Sequence, residues 1–221
     1  ISAVTAGTSN FVAGSNAGNS IVSGGNYNTV VGDEAGTAIT TADQNTAVGM
    51  SALLAATTGG YNTVMGYLAG SAITTGSGNA FFGLRAGAGT TTGTANTFVG
   101  GSSNSYAGYA NTTGTNNTAV GSDALAANTT ASNNTAVGMD ALTANTTGAS
   151  NTAVGNNSLA ANTTGTHNSA LGRNALDANT TGLRNTGLGY GSLSGNTTAD
   201  DNTAVGYFAL VANTTGTLNT A

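Results

Sequence analysis

The sequence has 221 residues, with 35 glycines, no proline, no cysteine and a net charge of −5. Only 5% of its residues are charged, where about 25% is typical of globular domains. Its three cations are arginines spread along the chain, which argues against nucleic acid as a partner. No stretch approaches the ~20 apolar residues of a membrane-spanning helix, and the lack of cysteine excludes disulfides.

The opening segment of the chain, 1–27, is irregular. Within it, the stretch from Asn10 to Tyr27 resembles one looser coil of the repeat that follows, with one extra residue. The chain begins at Ile1 and stops at Ala221 in the middle of a repeat. We therefore expect it to be a segment of a longer array, in which targeting signals need not appear.

From residue 28 to residue 221 the sequence repeats around the consensus N-T-A-V-G-x-x-A-L-x-A-N-T-T-G-x-x. We number the columns of this repeat 1 to 17, starting at its first asparagine. Each coil follows the previous one without a gap, except that four extra residues lie within 96–116. The first-column asparagines are Asn28, Asn45, Asn62, Asn79, Asn96, Asn117, Asn134, Asn151, Asn168, Asn185, Asn202 and Asn219.

This fixed period predicts an all-β fold, a parallel β-solenoid or β-roll built of seventeen-residue coils. The period is too short for a helical hairpin or a propeller blade, and Gly, Asn and Thr disfavour helix. Two short strands and two turns per coil fit this length. About twelve coils at ~4.8 Å each predict a rod of roughly 55–60 Å. We expect the first-column asparagines to form a hydrogen-bonded ladder. We expect the glycines of columns 5 and 15 to supply backbone angles that other residues resist.

Two columns in the middle of the repeat exchange residues in a correlated way. Early coils have Gly at column 9 and Ile at column 12, as in Gly36 and Ile39. Later coils have Leu and Asn at these columns, as in Leu142 and Asn145. A close-packed interior resists both voids and excess volume. The exchange therefore predicts that both columns point inward.

Columns 3 and 4 are both apolar, as in Val64-Met65 and Phe81-Phe82. Adjacent strand residues point to opposite faces, so one column fills the interior and the other faces water in a monomer. Near-continuous apolar strands are typical of burial on both faces, and small side chains favour close packing around a three-fold axis. We therefore expect a homotrimeric rod. The alternative is a monomer with a mildly apolar exposed strip.

The Asn-Thr-Ala-Val-Gly strands, with Ala-Leu and Gly turns between them, resemble the head repeats of trimeric autotransporter adhesins. Those repeats are written around Ser-Val-Ala-Ile-Gly in shorter coils. The sequence pattern NTAVGxxALxANTTGxxNTAVG also resembles the repeat shafts of phage-tail-fibre-like proteins. Such shafts often precede an endosialidase-type intramolecular chaperone domain. The resemblance covers nearly all of residues 10–221. It implies a left-handed parallel β-roll, trimerisation and a surface or virion role.

Few groups are suited to catalysis or metal binding. His167, the one histidine, falls in a turn column, where three copies would not meet on an axis to bind a metal. Asp123 and Asp140 share column 7 and would stack about 4.8 Å apart, either as solvated charges or around a shared cation such as Ca²⁺. The Asn-Thr-Thr triplets match the glycosylation acceptor rule, but we assign them a structural role. We expect no enzymatic activity, no cofactor and no metal site.

Column 13 holds threonine in successive coils, and such a ladder is a candidate ice-binding surface. Column 14 is also threonine in these coils. Adjacent residues point in opposite directions, however, so only one of the two columns is exposed. In addition, threonine hydroxyls in turns form hydrogen bonds with the local backbone. The candidate ladder is Thr129, Thr146, Thr163, Thr180, Thr197 and Thr214.

The extra residues before Asn117 place Tyr106 and Tyr109 in a loop rich in Ser, Gly and Asn. Two interpretations are open. Exposed tyrosines on such a loop are suited to contact with sugar rings or a receptor. A plain insertion is also tolerated at a surface loop.

Together these features predict the structural or adhesive shaft of a bacterial surface fibre or phage-type fibre, which spaces or presents a receptor-binding tip. An ice-binding or other repetitive-surface adhesin is the alternative. The expected partners are two further copies of the chain and a host-cell glycan or surface receptor. The expected location is extracellular, on a cell surface or a virion.

Overall fold

The computed structural model describes residues 6–221, and over this range the chain winds into a parallel β-solenoid of about eleven turns with 17-residue coils. The predicted all-β solenoid is therefore confirmed. Residues 1–5 of the irregular opening segment lie outside the described residues. Among residues 6–221 there is no long apolar helix of the kind that crosses a bilayer.

Each coil contributes one strand of three residues, at columns 2 to 4, to a single parallel sheet of twelve strands. The register keeps the columns aligned, so that Thr46 pairs with Thr63 and Val48 pairs with Met65. The six strands before the insertion are β1 (Phe11–Ala13), β2 (Thr29–Val31), β3 (Thr46–Val48), β4 (Thr63–Met65), β5 (Ala80–Phe82) and β6 (Thr97–Val99).

The four-residue insertion forms a small antiparallel hairpin that stands outside this sheet. Its strands are β7 (Gly101–Ser102) and β8 (Ser105–Tyr106). The parallel sheet then continues, because β6 pairs directly with the strand Thr118–Val120 that follows the hairpin. The six strands after the insertion are β9 (Thr118–Val120), β10 (Thr135–Val137), β11 (Thr152–Val154), β12 (Ser169–Leu171), β13 (Thr186–Leu188) and β14 (Thr203–Val205).

The expectation of a second strand in each coil is wrong for the described residues. Residues at columns 7, 9 and 17 adopt left-handed backbone angles, as at Asp123 (φ 54°), Leu125 (φ 54°) and Asn133 (φ 63°). A residue in this region cannot continue an extended strand, so the chain curls into turns. Neighbouring coils remain hydrogen-bonded to each other in these turns. For example, the Leu125 N–H donates to the Ala141 carbonyl at 2.9 Å.

The interior confirms that columns 9 and 12 point inward. Ile39, Leu142 and Asn145 are all fully buried. A Cβ on Gly36 would lie 2.7 Å from Ile39 Cδ1, which is closer than real Cβ contacts approach. A coil with Ile at column 12 therefore has no room for leucine at column 9.

The glycines of columns 5 and 15 serve different purposes. Gly138, at column 5, has a φ of 132°, and a Cβ there would lie 2.6 Å from the Gly155 carbonyl oxygen of the next coil. Backbone angle and close approach both require glycine at that position. At column 15 the predicted angle argument is wrong, because Gly148 has no positive φ. A Cβ on Gly148 would instead meet the Asn145 side chain and the backbone of the next coil, although Ala131 occupies this column in another coil.

Candidate interaction surfaces and ladders

The first-column asparagines form the predicted ladder inside the solenoid. The Oδ1 of Asn28 accepts hydrogen bonds from the backbone N–H of Asn45 at 3.0 Å and from its Nδ2 at 3.2 Å. The same Nδ2 also donates to the Gly59 carbonyl at 3.1 Å. The backbone bond to the preceding Oδ1 recurs up to Asn219, which donates to Asn202 at 2.9 Å. These hydrogen bonds satisfy side-chain amides that would otherwise be buried without a partner.

A second asparagine ladder runs along column 12 after the insertion. Asn145 Nδ2 donates to Asn128 Oδ1 at 3.1 Å and to the Gly148 carbonyl at 2.9 Å. The Gly148 carbonyl also accepts from Asn134 of the first ladder at 2.9 Å, so the two ladders share acceptors. The members are Asn111, Asn128, Asn145, Asn162, Asn179, Asn196 and Asn213.

A structural role was predicted for these Asn-Thr-Thr triplets, but the ladder itself was not. The signal was present, since the same triplet recurs at the period of the first-column asparagines. All of these asparagines except Asn213 are fully buried. Their amides are therefore bonded inside the rod and are not presented at its surface.

The candidate ice-binding ladder at column 13 is bonded to the backbone of the neighbouring coil. Thr129 Oγ1 donates to the Thr146 carbonyl at 3.2 Å, and Thr180 Oγ1 donates to the Thr197 carbonyl at 3.0 Å. The same contact repeats from Thr40 to Thr197. These hydroxyl groups therefore hold adjacent coils together and have no donor left for a ligand.

The outward side of the parallel sheet, which we call the strand face, consists of the column-2 and column-4 residues of β1–β6 and β9–β14. Column 3 is buried, whereas column 4 is exposed by 41% at Met65, 50% at Leu171 and 57% at Val205. This confirms that one of the two apolar columns fills the interior and that the other faces outward in a single chain. A groove of about 200 Å³ on this face is lined by Val154, Leu171 and Leu188.

The eleven charged residues, eight acidic and three arginines, all lie off the strand face. They occupy columns 6, 7, 10, 16 and 17. Arg184 pairs with Asp201, with Nε 2.6 Å from Oδ1 and Nη2 2.9 Å from Oδ2. Hydrogen bonding and attraction from Arg184 lower the pKa of the Asp201 carboxyl. Because no charged residue lies at column 2 or column 4, the strand face is uncharged along the whole sheet.

The groups considered for metal binding do not converge. His167 is exposed, and its Nδ1 lies 3.1 Å from Thr166 Oγ1. Asp123 accepts a hydrogen bond from the Tyr106 backbone N–H at 3.0 Å. Within residues 6–221, no group of three or more His, Cys, Asp or Glu side chains is arranged to hold a metal ion.

The insertion brings the two candidate tyrosines together with an arginine that sequence analysis did not single out. The Tyr106 and Tyr109 rings lie 5.2 Å apart, and the Arg85 guanidinium lies 5.6 Å from the Tyr106 ring centre. Beside them is an open cavity of about 460 Å³, which Arg85 and Tyr109 help to line. The insertion and this cavity interrupt the repetitive surface of the coils.

Comparison with models of protein families, with curated protein sequences and with solved structures finds no match.

Proposed function

We propose that this chain is a shaft segment of a homotrimeric extracellular fibre, in which the strand faces of three copies pack around the rod axis. The observation that carries this proposal is the separation of charge from the strand face. The cores of protein interfaces are depleted in charged residues, and this face is uncharged and apolar at column 4 along all twelve strands.

The size of the strand face also favours burial. Two columns about 7 Å apart, over a rod of roughly 55 Å, give a strip of roughly 400 Å². The largest apolar patch on a typical soluble monomer is about 300–600 Å² and is often a functional site, so the strand face is of the size that marks interaction sites. Its outward side chains, such as Val137 and Val154, repeat at the spacing of the coils, so identical copies offer matching surfaces.

The interior supports a mechanical role. The first asparagine ladder and the column-13 threonines connect successive coils through buried or half-buried hydrogen bonds, and the column-12 ladder adds further bonds from Asn111 onward. Such an extended array spaces other parts of a fibre and resists local unfolding, since each repeat is stabilised by its neighbours. The left-handed winding, the surface or virion location and a glycan or receptor partner are parts of the same proposal, and they rest on the resemblance to adhesin and tail-fibre repeats.

Light scattering coupled to size-exclusion chromatography tests the trimer. We expect an elongated species with three times the chain mass of 21.1 kDa. The double variant Val137→Asp, Val154→Asp places charges on the strand face and should give monomers, because an unpaired charge is costly to bury. The matched control Thr147→Asp, Thr164→Asp changes two exposed residues outside the strand face and should remain trimeric. A monomeric parent chain would overturn the proposal, as would a trimer that both double variants leave intact.

An ice-binding role is the second candidate, and one observation favours it. The strand face presents Thr at column 2 beside Val at column 4, as in Thr135 and Val137, on a regular sheet. This pair of same-side columns is better suited to ice than the column-13 threonines, whose hydroxyls are bonded to backbone. Under this alternative the chain is a monomer with thermal hysteresis, and Thr135→Tyr reduces the hysteresis whereas Thr147→Tyr does not.

A further inference from the structure

The cavity beside the insertion is formed by three successive coils and lies away from the strand face. Its lining includes Leu68 and Ser71 from one coil, Arg85 from the next, and Tyr109 and Thr112 from the coil that carries the insertion. These residues occupy columns 7 to 13, whereas the strand face occupies columns 2 and 4. The cavity volume of about 460 Å³ is in the usual range for small-molecule sites.

The side chain of Arg85 is held in place without being neutralised. The Tyr106 ring beneath it is fixed at both ends. Its backbone N–H donates to Asp123 Oδ1 at 3.0 Å and its hydroxyl donates to the Ser103 carbonyl at 2.8 Å. Within the described chain the Arg85 guanidinium has this cation–π contact but no ion pair and no hydrogen bond. The contrast is Arg184, which is paired with Asp201.

Tyr109 gives the cavity an aromatic wall. Its carbonyl accepts a hydrogen bond from the Gly89 N–H at 2.9 Å, so its backbone belongs to the regular pairing of the solenoid. Its side chain is 41% exposed. A Cβ at position 89 would lie 2.5 Å from that carbonyl oxygen. A side chain there would collide with the backbone, so Gly89 lines the cavity without one. An aromatic face and adjacent hydroxyl groups suit a ligand with one apolar side and several polar groups.

We infer that this cavity binds an acidic saccharide, with the sugar carboxylate on Arg85 and the sugar ring against Tyr109. An arginine guanidinium matches a planar carboxylate through two parallel hydrogen bonds. Ser71 adds a hydroxyl to the cavity lining for a sugar hydroxyl, whereas the Thr112 hydroxyl donates to the Thr129 carbonyl at 2.9 Å and can only accept a hydrogen bond from the ligand. The net charge of −5 opposes binding of long polyanions such as nucleic acid, which favours a small ligand with one or two carboxylates. The inference extends the proposed glycan partner to the shaft itself, and it does not require the chain to be trimeric.

Ligand-observed NMR and calorimetry on the same chain, with its strand face and insertion intact, test this inference. The probes are α-1,4-linked digalacturonic acid, the matching neutral galactobiose, and N-acetylneuraminic acid. We expect an acidic probe to bind in a salt-dependent manner and galactobiose to bind at least tenfold more weakly, because the neutral sugar cannot form charge-assisted hydrogen bonds with Arg85. Equal affinity for the acidic and neutral disaccharides, or no binding of either acidic probe, would overturn the inference.

Three variants locate the site. Arg85→Gln should weaken acidic-probe binding about tenfold or more. Arg173→Gln is the matched control, because Arg173 lies 5.9 Å from the Tyr190 ring centre in a similar contact but does not line the cavity. Tyr109→Ala should weaken binding whereas Tyr109→Phe should retain most of it. Equal losses in the Arg85 and Arg173 variants would show non-specific charge attraction and would contradict the assignment. The oligomeric state of each variant is measured in parallel, so that failure of the trimer and failure of the saccharide site are separate results.

Discussion

The coils before the insertion and the coils after it fill the same interior in different ways. In the Gly/Ile coils, Val30 and Ile39 occupy the space opposite Gly36. In the Leu/Asn coils, alanine replaces the valine, leucine replaces the glycine, and asparagine replaces the isoleucine, as at Leu142 and Asn145. The exchange trades a larger side chain at column 9 for smaller ones at columns 3 and 12, and it changes column 12 from apolar to hydrogen-bonded.

The coils next to the insertion follow a third solution that supports the same rule. Phe81 and Phe98 fill column 3 and stack with ring centres 4.8 Å apart and planes 7° from parallel. Both coils have glycine at column 9, and a Cβ on either Gly87 or Gly108 would collide with the phenylalanine ring of its own coil. The backbone of the solenoid thus accepts several interiors, provided that columns 3, 9 and 12 are exchanged together.

The largest expected effect comes from exchanging one of these columns alone. Gly36→Leu should lower the free energy of unfolding by about 3 kcal/mol, because the leucine overlaps Val30 and Ile39 in a closed interior. The coil from Asn45 has Ala47, Leu53 and Ala56 at columns 3, 9 and 12. The triple variant Val30→Ala, Gly36→Leu, Ile39→Ala copies these three residues and should recover most of this loss. A deficit of about 1 kcal/mol should remain, since leucine is less suited than glycine to φ 54°.

Urea denaturation followed by far-UV circular dichroism measures both variants against the parent chain. The separate variant Val30→Ala, Ile39→Ala is the control, since it creates the space without filling it and should be destabilised by a cavity. If the triple variant is no more stable than Gly36→Leu, the three columns do not share one volume.

An intermediate effect is expected from the ladder that only the later coils contain. Asn145→Ala removes the donor to Asn128 Oδ1 and leaves that oxygen buried without its partner, at a cost of about 1–3 kcal/mol. Asn213→Ala makes the same chemical change where the ladder reaches solvent, so water replaces the lost bonds and the cost should be smaller. Equal unfolding free energies for the two variants would show that burial does not set the strength of this ladder.

The fold could be predicted from the sequence because aligning the repeats shows the period, the columns that point inward and the asparagines of the first ladder. The turn geometry could not. Leucine disfavours left-handed angles by about 1–2 kcal/mol, yet Leu125 adopts φ 54°. Burying the leucine side chain, worth about 1.5–3 kcal/mol, offsets that cost, and only the packed coil reveals it.

The cavity beside the insertion was hidden for a related reason. Arg85 and Tyr106 are separated in the sequence by one period plus the four-residue insertion, so their spacing does not match the repeat. Arg85 and Tyr106 fall in the same column only when the four extra residues are placed before Ser105. The structure shows this placement, because the hairpin of β7 and β8 contains the insertion. Tyr106 and Tyr109 are therefore recognisable from the sequence as neighbours in a loop, but the position of Arg85 beside them is not.

The smallest expected effect concerns charge in the Leu/Asn coils. Burial raises the pKa of the Asp177 carboxyl from 3.8, partly opposed by hydrogen bonds from the backbone of Ala178 and Asp177. A raised pKa means that the folded chain holds this proton more tightly than the unfolded chain, so the stabilisation is complete below about pH 3.8 and is lost as the pH rises above it. Asp177→Asn should therefore stabilise the folded chain slightly at pH 7, by less than about 0.5 kcal/mol after solvent screening, and should make no difference at pH 3.

Asp201→Asn provides the control of opposite sign for that measurement. Because the pKa of Asp201 is lowered by Arg184, its ionised form favours the folded chain above pH 3.8, and this contribution disappears as the pH falls through the lowered pKa. The Asp201 variant should therefore melt at a lower temperature than the parent at pH 7 and converge with it in strong acid. Thermal melts of both variants between pH 2 and pH 8 should give difference curves of opposite sign. Two curves of the same sign would mean that net charge along the rod, and not the surroundings of each carboxylate, controls the pH dependence.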